Sequence, residues 1–184
     1  MLFMVLPLHI YAQADSSINP LEFATILNFD NKSQDRLFML SKTWFAETFK
    51  EGSAANNKIE NFEEGIYINQ VSQEYMYHKK HFAYAMPMRC TGKIFYAVKI
   101  QVRDNRIRFS LTNIVHESRL WQTPDGEARY NLGQLTTSIQ GDPNWPKYKK
   151  NCWVDAKNQI AEEFIRLQKS LSRYIDDNYQ NKEW

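Results

Sequence analysis

Between Ile94 and Thr112 the chain alternates with a strict period of two. Ile94, Tyr96, Val98, Ile100 and Val102 hold one parity; Phe95, Ala97, Lys99, Gln101 and Arg103 hold the other. After Asp104-Asn105, Ile107, Phe109 and Leu111 alternate with Arg106, Arg108, Ser110 and Thr112. A two-residue turn pairs Val102 with Ile107, Ile100 with Phe109 and Val98 with Leu111. All of these apolar pairs then fall on one face, as a pleated hairpin requires. Upstream, residues 21–29 follow Pro20 and have the β-branched and apolar content of a strand. Leu37, Leu40, Trp44, Phe45 and Thr48 share one face at helical spacing and predict a helix over 34–50. Ser33 is placed as its N-cap, Asp35 sits in its first turn, and Gly52 is placed to stop it. A shorter hairpin is expected from 58–63 and 66–73 around Glu64-Gly65. Ile160, Phe164, Leu167, Leu171 and Tyr174 form a single stripe, predicting a closing helix that starts near Asp155 as N-cap. From Glu117 to Asn151 no period holds. That stretch reads as a long loop over 117–151, of the kind that is either functional or disordered.

The order β-α-β-β-β-β-α, with one apolar stripe per helix and one apolar face per strand, predicts an α+β domain. Its antiparallel sheet would carry both helices on one side, leaving the other side for water or a partner. At 184 residues, 43% hydrophobic and 24% charged, one domain over 15–184 is expected, with a core large enough to need no metal or disulfide. A net charge of +2 provides no global field for nucleic acid, so any basic patch must be local.

The Ser33-led helix with Trp44-Phe45, the Glu63-Glu64-Gly65-Ile66 turn, and the Lys99–Phe109 hairpin with its charged turn resemble an exported bacterial family. It is known as domain of unknown function 4468 and has a TATA-binding-protein-like fold. The resemblance covers roughly residues 30–116. It implies that fold, brings no known activity and maps no catalytic residues. Likeness to a DNA-binding fold does not carry DNA binding with it.

Residues 1–14 differ from the rest. Leu2-Phe3-Met4-Val5-Leu6-Pro7-Leu8 is apolar, and Ala12-Gln13-Ala14 fits a small-x-small cleavage site. A signal peptide over 1–14 is expected, with its basic n-region missing; a buried N-terminal strand is the alternative. The run is too short to span a bilayer. The mature chain is then expected to be exported, periplasmic or secreted, where Cys90 and Cys152 could pair or remain two buried thiols.

Three constellations are candidates for chemistry. His78 and His81, joined by Cys90, Cys152 or His116, could hold a metal. Their spacing matches no standard zinc pattern, and Lys79 and Lys80 would repel a cation, so no metal and no cofactor is expected. Lys99, Gln101, Arg103, Arg106 and Arg108 project from the face opposite the apolar pairs. They suit an anionic ligand, or else form a solvated face that deters edge pairing. Trp121, Tyr130 and Trp145, beside Lys147, Lys149 and Lys150, could bind a partner or pin their own loop. No nucleophile elbow, phosphate-cradling glycine loop or His-Glu-x-x-His motif occurs. His116, Glu117 and Ser118 are neighbours on one strand and cannot form a triad. The reading is an exported, non-catalytic binding module of the bacterial envelope. Its partner would be an anionic glycan or an envelope protein, with no nucleic acid and no transmembrane segment. The alternatives are a metal-dependent protein using His78 and His81, and a self-associating structural subunit.

Overall fold

The 94–112 alternation folds as a hairpin in the register that its side chains require. In a computed structural model that describes residues 19–49, 58–77, 89–138 and 145–179, Val102 faces Ile107, Ile100 faces Phe109 and Val98 faces Leu111. The signal peptide expected over 1–14, and His78 and His81, lie outside the described residues. In chain order the elements are β1 (Phe23–Asn28), α1 (Gln34–Thr48), β2 (Ile59–Asn61), β3 (Ile66–Tyr75), β4 (Gly92–Arg103), β5 (Arg106–Ser118), β6 (Trp121–Thr123), β7 (Gly126–Ala128), β8 (Gly133–Gln134) and α2 (Lys147–Tyr179).

The main sheet runs β1-β5-β4-β3-β2 with every pair antiparallel, and β8 adds to the far half of β5. Both helices cover one face. Phe164 of α2 stacks on Phe23 and Phe109, Trp44 of α1 meets Phe109 edge-on, and Phe45 meets Tyr67. The helices touch each other too, with Trp44 Nε1 donating to Ser170 Oγ at 3.1 Å.

Midway along β5 the inward parity changes. Phe95 faces Val115 but Ala97 faces Thr112, so β5 carries one extra residue, and Asn113 there takes φ 51°. Beyond this bulge the buried residues are Ile114, His116 and Ser118 instead of Ile107, Phe109 and Leu111. The left-handed conformation suits asparagine, and the phase slip is why the alternation ends at Thr112 in the sequence.

The helix cap differs from expectation. The Ser33 side chain makes no cap bond. The hairpin turn caps α1 instead: Gln34 N donates to Asp104 Oδ1 at 2.7 Å, and Lys32 N to Asn105 Oδ1 at 3.0 Å. A carboxylate at the positive end of a helix is favoured whichever part of the chain brings it. Gly65 is fixed by the same hairpin. It has φ +65° and packs against the Val102 carbonyl, with which a β-carbon would collide.

The loop expected over 117–151 is largely structured. β5 runs on to Ser118, β6 and β7 form a small hairpin, β8 joins the sheet, and α2 begins at Lys147. Strands of two or three residues are too short to show a period. The early turns of α2 are hidden by the basic run Lys147, Lys149 and Lys150. Asp155, expected as N-cap, therefore lies inside α2, where Oδ2 accepts from Tyr75 OH at 3.1 Å and from Gln159 Nε2 at 2.8 Å.

Candidate functional site

The face of the sheet away from the helices is built from the complementary parity of the same strands. β4 places Lys99, Gln101 and Arg103 there, and β5 places Arg106 and Arg108. Cross-strand rows bring them together: Arg103 faces Arg106, Gln101 faces Arg108, and Lys99 faces Ser110. All four predicted cations, Lys99, Arg103, Arg106 and Arg108, thus share one surface.

That surface is hollowed. A depression of about 810 Å³ crosses it from Lys58 and Ile59 on one rim to Glu22 on the other. Small side chains, Ala97, Ser110 and Thr112, line it between the long flanking ones. Two further depressions, of about 220 and 590 Å³, continue over Arg103 and Arg106. Gln101 lines all three. The sequence alternation contains Ala97, Ser110 and Thr112, but attention to charge alone passes over residues whose contribution is small size. Lys58 and Ile59 arrive from a separate strand edge, which period-two reading cannot place.

Carboxylates do intrude: Glu63, Glu64 and Asp104 line the depression of about 590 Å³ with Arg103 and Arg106, and Glu22 lines that of about 810 Å³. Glu22 Oε1 lies 3.8 Å from Arg108 NH2, a loose ion pair between half-exposed groups. Among the described residues, Lys99, Arg103 and Arg106 belong to no ion pair. Asp104, the acid nearest Arg103 and Arg106 in sequence, spends its carboxylate on the α1 cap. Like charges directly opposite on neighbouring strands repel. The Arg103–Arg106 pair therefore costs the fold something that a neutral pair would not. Apolar groups also remain in water here: Ile26 is 58% exposed and Ile59 59%.

The aromatic segment divides differently. Tyr130 and Trp145 pack against the core. Arg89 donates to Tyr130 OH at 2.8 Å and lies over its ring, and Lys149 Nζ sits 4.2 Å from the Trp145 ring centre. These rings pin their segment to the body. Trp121 is half-buried on β6, and its indole N–H meets no acceptor among the described residues. None of Trp121, Tyr130 and Trp145 lines the depressions over the basic face.

His116 is fully buried. Leu132 N donates to Nδ1 at 3.1 Å, so that nitrogen is unprotonated and Nε2–H donates to the Cys90 carbonyl at 2.7 Å. Burial holds the ring below its ordinary histidine range, only partly opposed by its backbone hydrogen bonds. Both nitrogens serve the backbone, so His116 ties β5 to the residues before β4 and after β7 and cannot complete a metal shell. Ser118 does similar work, its Oγ accepting from Tyr130 N at 2.6 Å. Among the described residues no group of three or more His, Cys, Asp or Glu is arranged to hold a metal. No described helix is long and apolar enough to cross a membrane.

Known proteins place the fold. No curated protein matches the chain. Among solved structures it is similar to a TBP-like protein from Parabacteroides distasonis, with a TM-score of 0.59, 13% identity, and coverage of 83% of this chain and 92% of that one. It is also similar to a DUF4468 family protein from Bacteroides ovatus, with a TM-score of 0.52, 10% identity, and coverage of 83% and 86%. At these identities the likeness is one of fold, and that fold is the one the family resemblance implies. Residues 23–117, from β1 to the end of β5, match the family model described as a domain of unknown function (DUF4468) with TBP-like fold, and the chain belongs to that family.

Proposed function

We propose that the protein is an exported, non-catalytic binding module of the cell envelope, and that the open face of its sheet is the working surface. The observation that carries this reading is the Arg103–Arg106 cross-strand pair with Lys99 and Arg108 beside it. Lys99 and Arg108 line the largest of the three depressions, where Glu22 is the one acidic lining residue. Arg103 and Arg106 line the two beside it, one of which Glu63, Glu64 and Asp104 also line. Cations merely keeping a surface soluble gain nothing by standing opposite one another. Cations that receive an oxyanion do, because arginine forks match planar sulfate, phosphate or carboxylate groups in pairs. The shallow shape suits an extended chain with repeated charges. An anionic glycan is the partner this favours.

The full chain should be titrated with a sulfated oligosaccharide and, separately, with a neutral oligosaccharide of equal length, following the melting temperature. At a hundred times its dissociation constant a ligand adds about 2.7 kcal/mol, a shift readily seen for a domain of this size. The expected result is stabilisation by the sulfated chain alone, fading as salt rises. Equal shifts with both sugars, or none with either, would reject the open face as an anion site.

A further inference from the structure

The cluster on the helix-covered side behind β4 is chemically distinct from the basic face. Cys90 and Cys152 are both fully buried. The two are held from independent directions: the Cys90 carbonyl accepts from His116 Nε2 at 2.7 Å, and the Cys152 carbonyl accepts from Tyr75 OH at 3.0 Å. The Tyr75 and His116 rings meet edge to face with centres 5.0 Å apart, fixing the spacing of those two anchors. Within this frame the two side chains lie close enough for each to shift the other's ionisation, Cys90 downward and Cys152 upward. The chain around Cys90 leads into β4, whereas Cys152 lies in the first turns of α2.

We propose that Cys90 and Cys152 are a disulfide site, closed when the chain folds in the presence of a thiol-oxidising disulfide. The bond would staple the start of α2 to the sheet across a loop of about sixty residues, long enough for a substantial effect on the unfolded chain. The exchange takes place while the chain folds, because both thiols are buried once it has. One cysteine sulfur attacks the donor disulfide and releases one donor thiol. The other sulfur then attacks the mixed disulfide, and the second donor thiol leaves. Two S–H bonds are lost, one S–S bond forms, and the two electrons and two protons go to the donor, which becomes two thiols. The proposal does not depend on the anion-binding role of the other face.

The test uses the full chain, refolded with oxidised and reduced glutathione or with reductant alone. Each sample is denatured, alkylated and weighed, and each is melted. The oxidised sample should resist alkylation, weigh about 2 Da less than the reduced chain before alkylation, run as a monomer on a non-reducing gel, and melt roughly 5–15 °C higher. The double variant Cys90→Ala/Cys152→Ala should melt alike in both buffers. If that variant does not fold, the oxidised and reduced wild type alone decide the matter. Two alkylated thiols after oxidative refolding to the native melt, or a disulfide found only between chains, would overturn the proposal.

Discussion

β4 and β5 present two faces from one backbone, and the two have opposite characters. Toward the helices, Val98, Ile100, Val102, Ile107, Phe109 and Leu111 are completely buried. On the other side, the residues between them are Lys99, Gln101, Arg103, Arg106, Arg108 and Ser110, and a hollow lies over them. Stability is settled on the first face by packing and the hydrophobic effect. The second face is therefore free to carry residues chosen for other reasons, including a repulsive arginine pair. Where a sheet is covered on one side only, the side that folding does not need is the place to look for function.

The comparison breaks most visibly at Phe109. Its ring is stacked on Phe164 and edge-on to Trp44. Phe109→Ala should cost about 3–5 kcal/mol in denaturant unfolding, whereas Arg108→Ala, one residue away and pointing outward, should stay within about 0.5 kcal/mol. Similar costs for the two would erase the distinction between faces.

Next in size is a pH effect from the inner side. His116 is buried neutral and held below its ordinary value of 6.5, so below that pH the unfolded chain takes up a proton that the folded chain refuses. Stability should therefore fall as pH drops below about 6.5, by at most about 1.4 kcal/mol per unit, until the folded ring itself titrates. Above that window this contribution is flat. His116→Gln, which keeps a donor and an acceptor, should remove this part of the slope in melts taken from pH 7 to pH 5. An unchanged slope would mean that the ring is protonated in place.

Asp104 lies where the faces meet. Losing its bond to Gln34 N should cost about 1 kcal/mol on Asp104→Ala, read by unfolding, with Asp104→Asn recovering much of it. Smallest is the arginine pair itself. Arg106→Gln should raise stability by a few tenths of a kcal/mol by relieving the repulsion from Arg103, an effect that shrinks in salt. A loss instead would place Arg106 among the structural residues.

Most of this architecture is legible in the sequence because period two and period 3.6 are long-range signals. The register of the central hairpin, the core stripe of α2 and the basic parity of the open face follow from them directly. Three features escape for physical reasons. The β5 bulge at Asn113 shifts the phase, hiding Ile114 and His116 as inward residues. The strands β6, β7 and β8 are shorter than one period can reveal. The α1 cap comes from Asp104, seventy residues away from Gln34, where local motif rules look only to Ser33. The four cations were visible at the site, but the hollow they surround depends on Ala97, Ser110 and Thr112 being small. Only the folded sheet shows what smallness at those positions does.

The claim that the two faces have separate jobs is tested most directly by one charge-swapped protein, Arg106→Glu/Arg108→Glu, measured twice. Its unfolding free energy and its affinity for a sulfated oligosaccharide at low salt should be set beside those of the wild type. The account predicts stability within about 1 kcal/mol of wild type and no measurable binding. Binding retained at wild-type strength would contradict it, as would a loss of several kcal/mol in folding, since the open face would then be serving the fold.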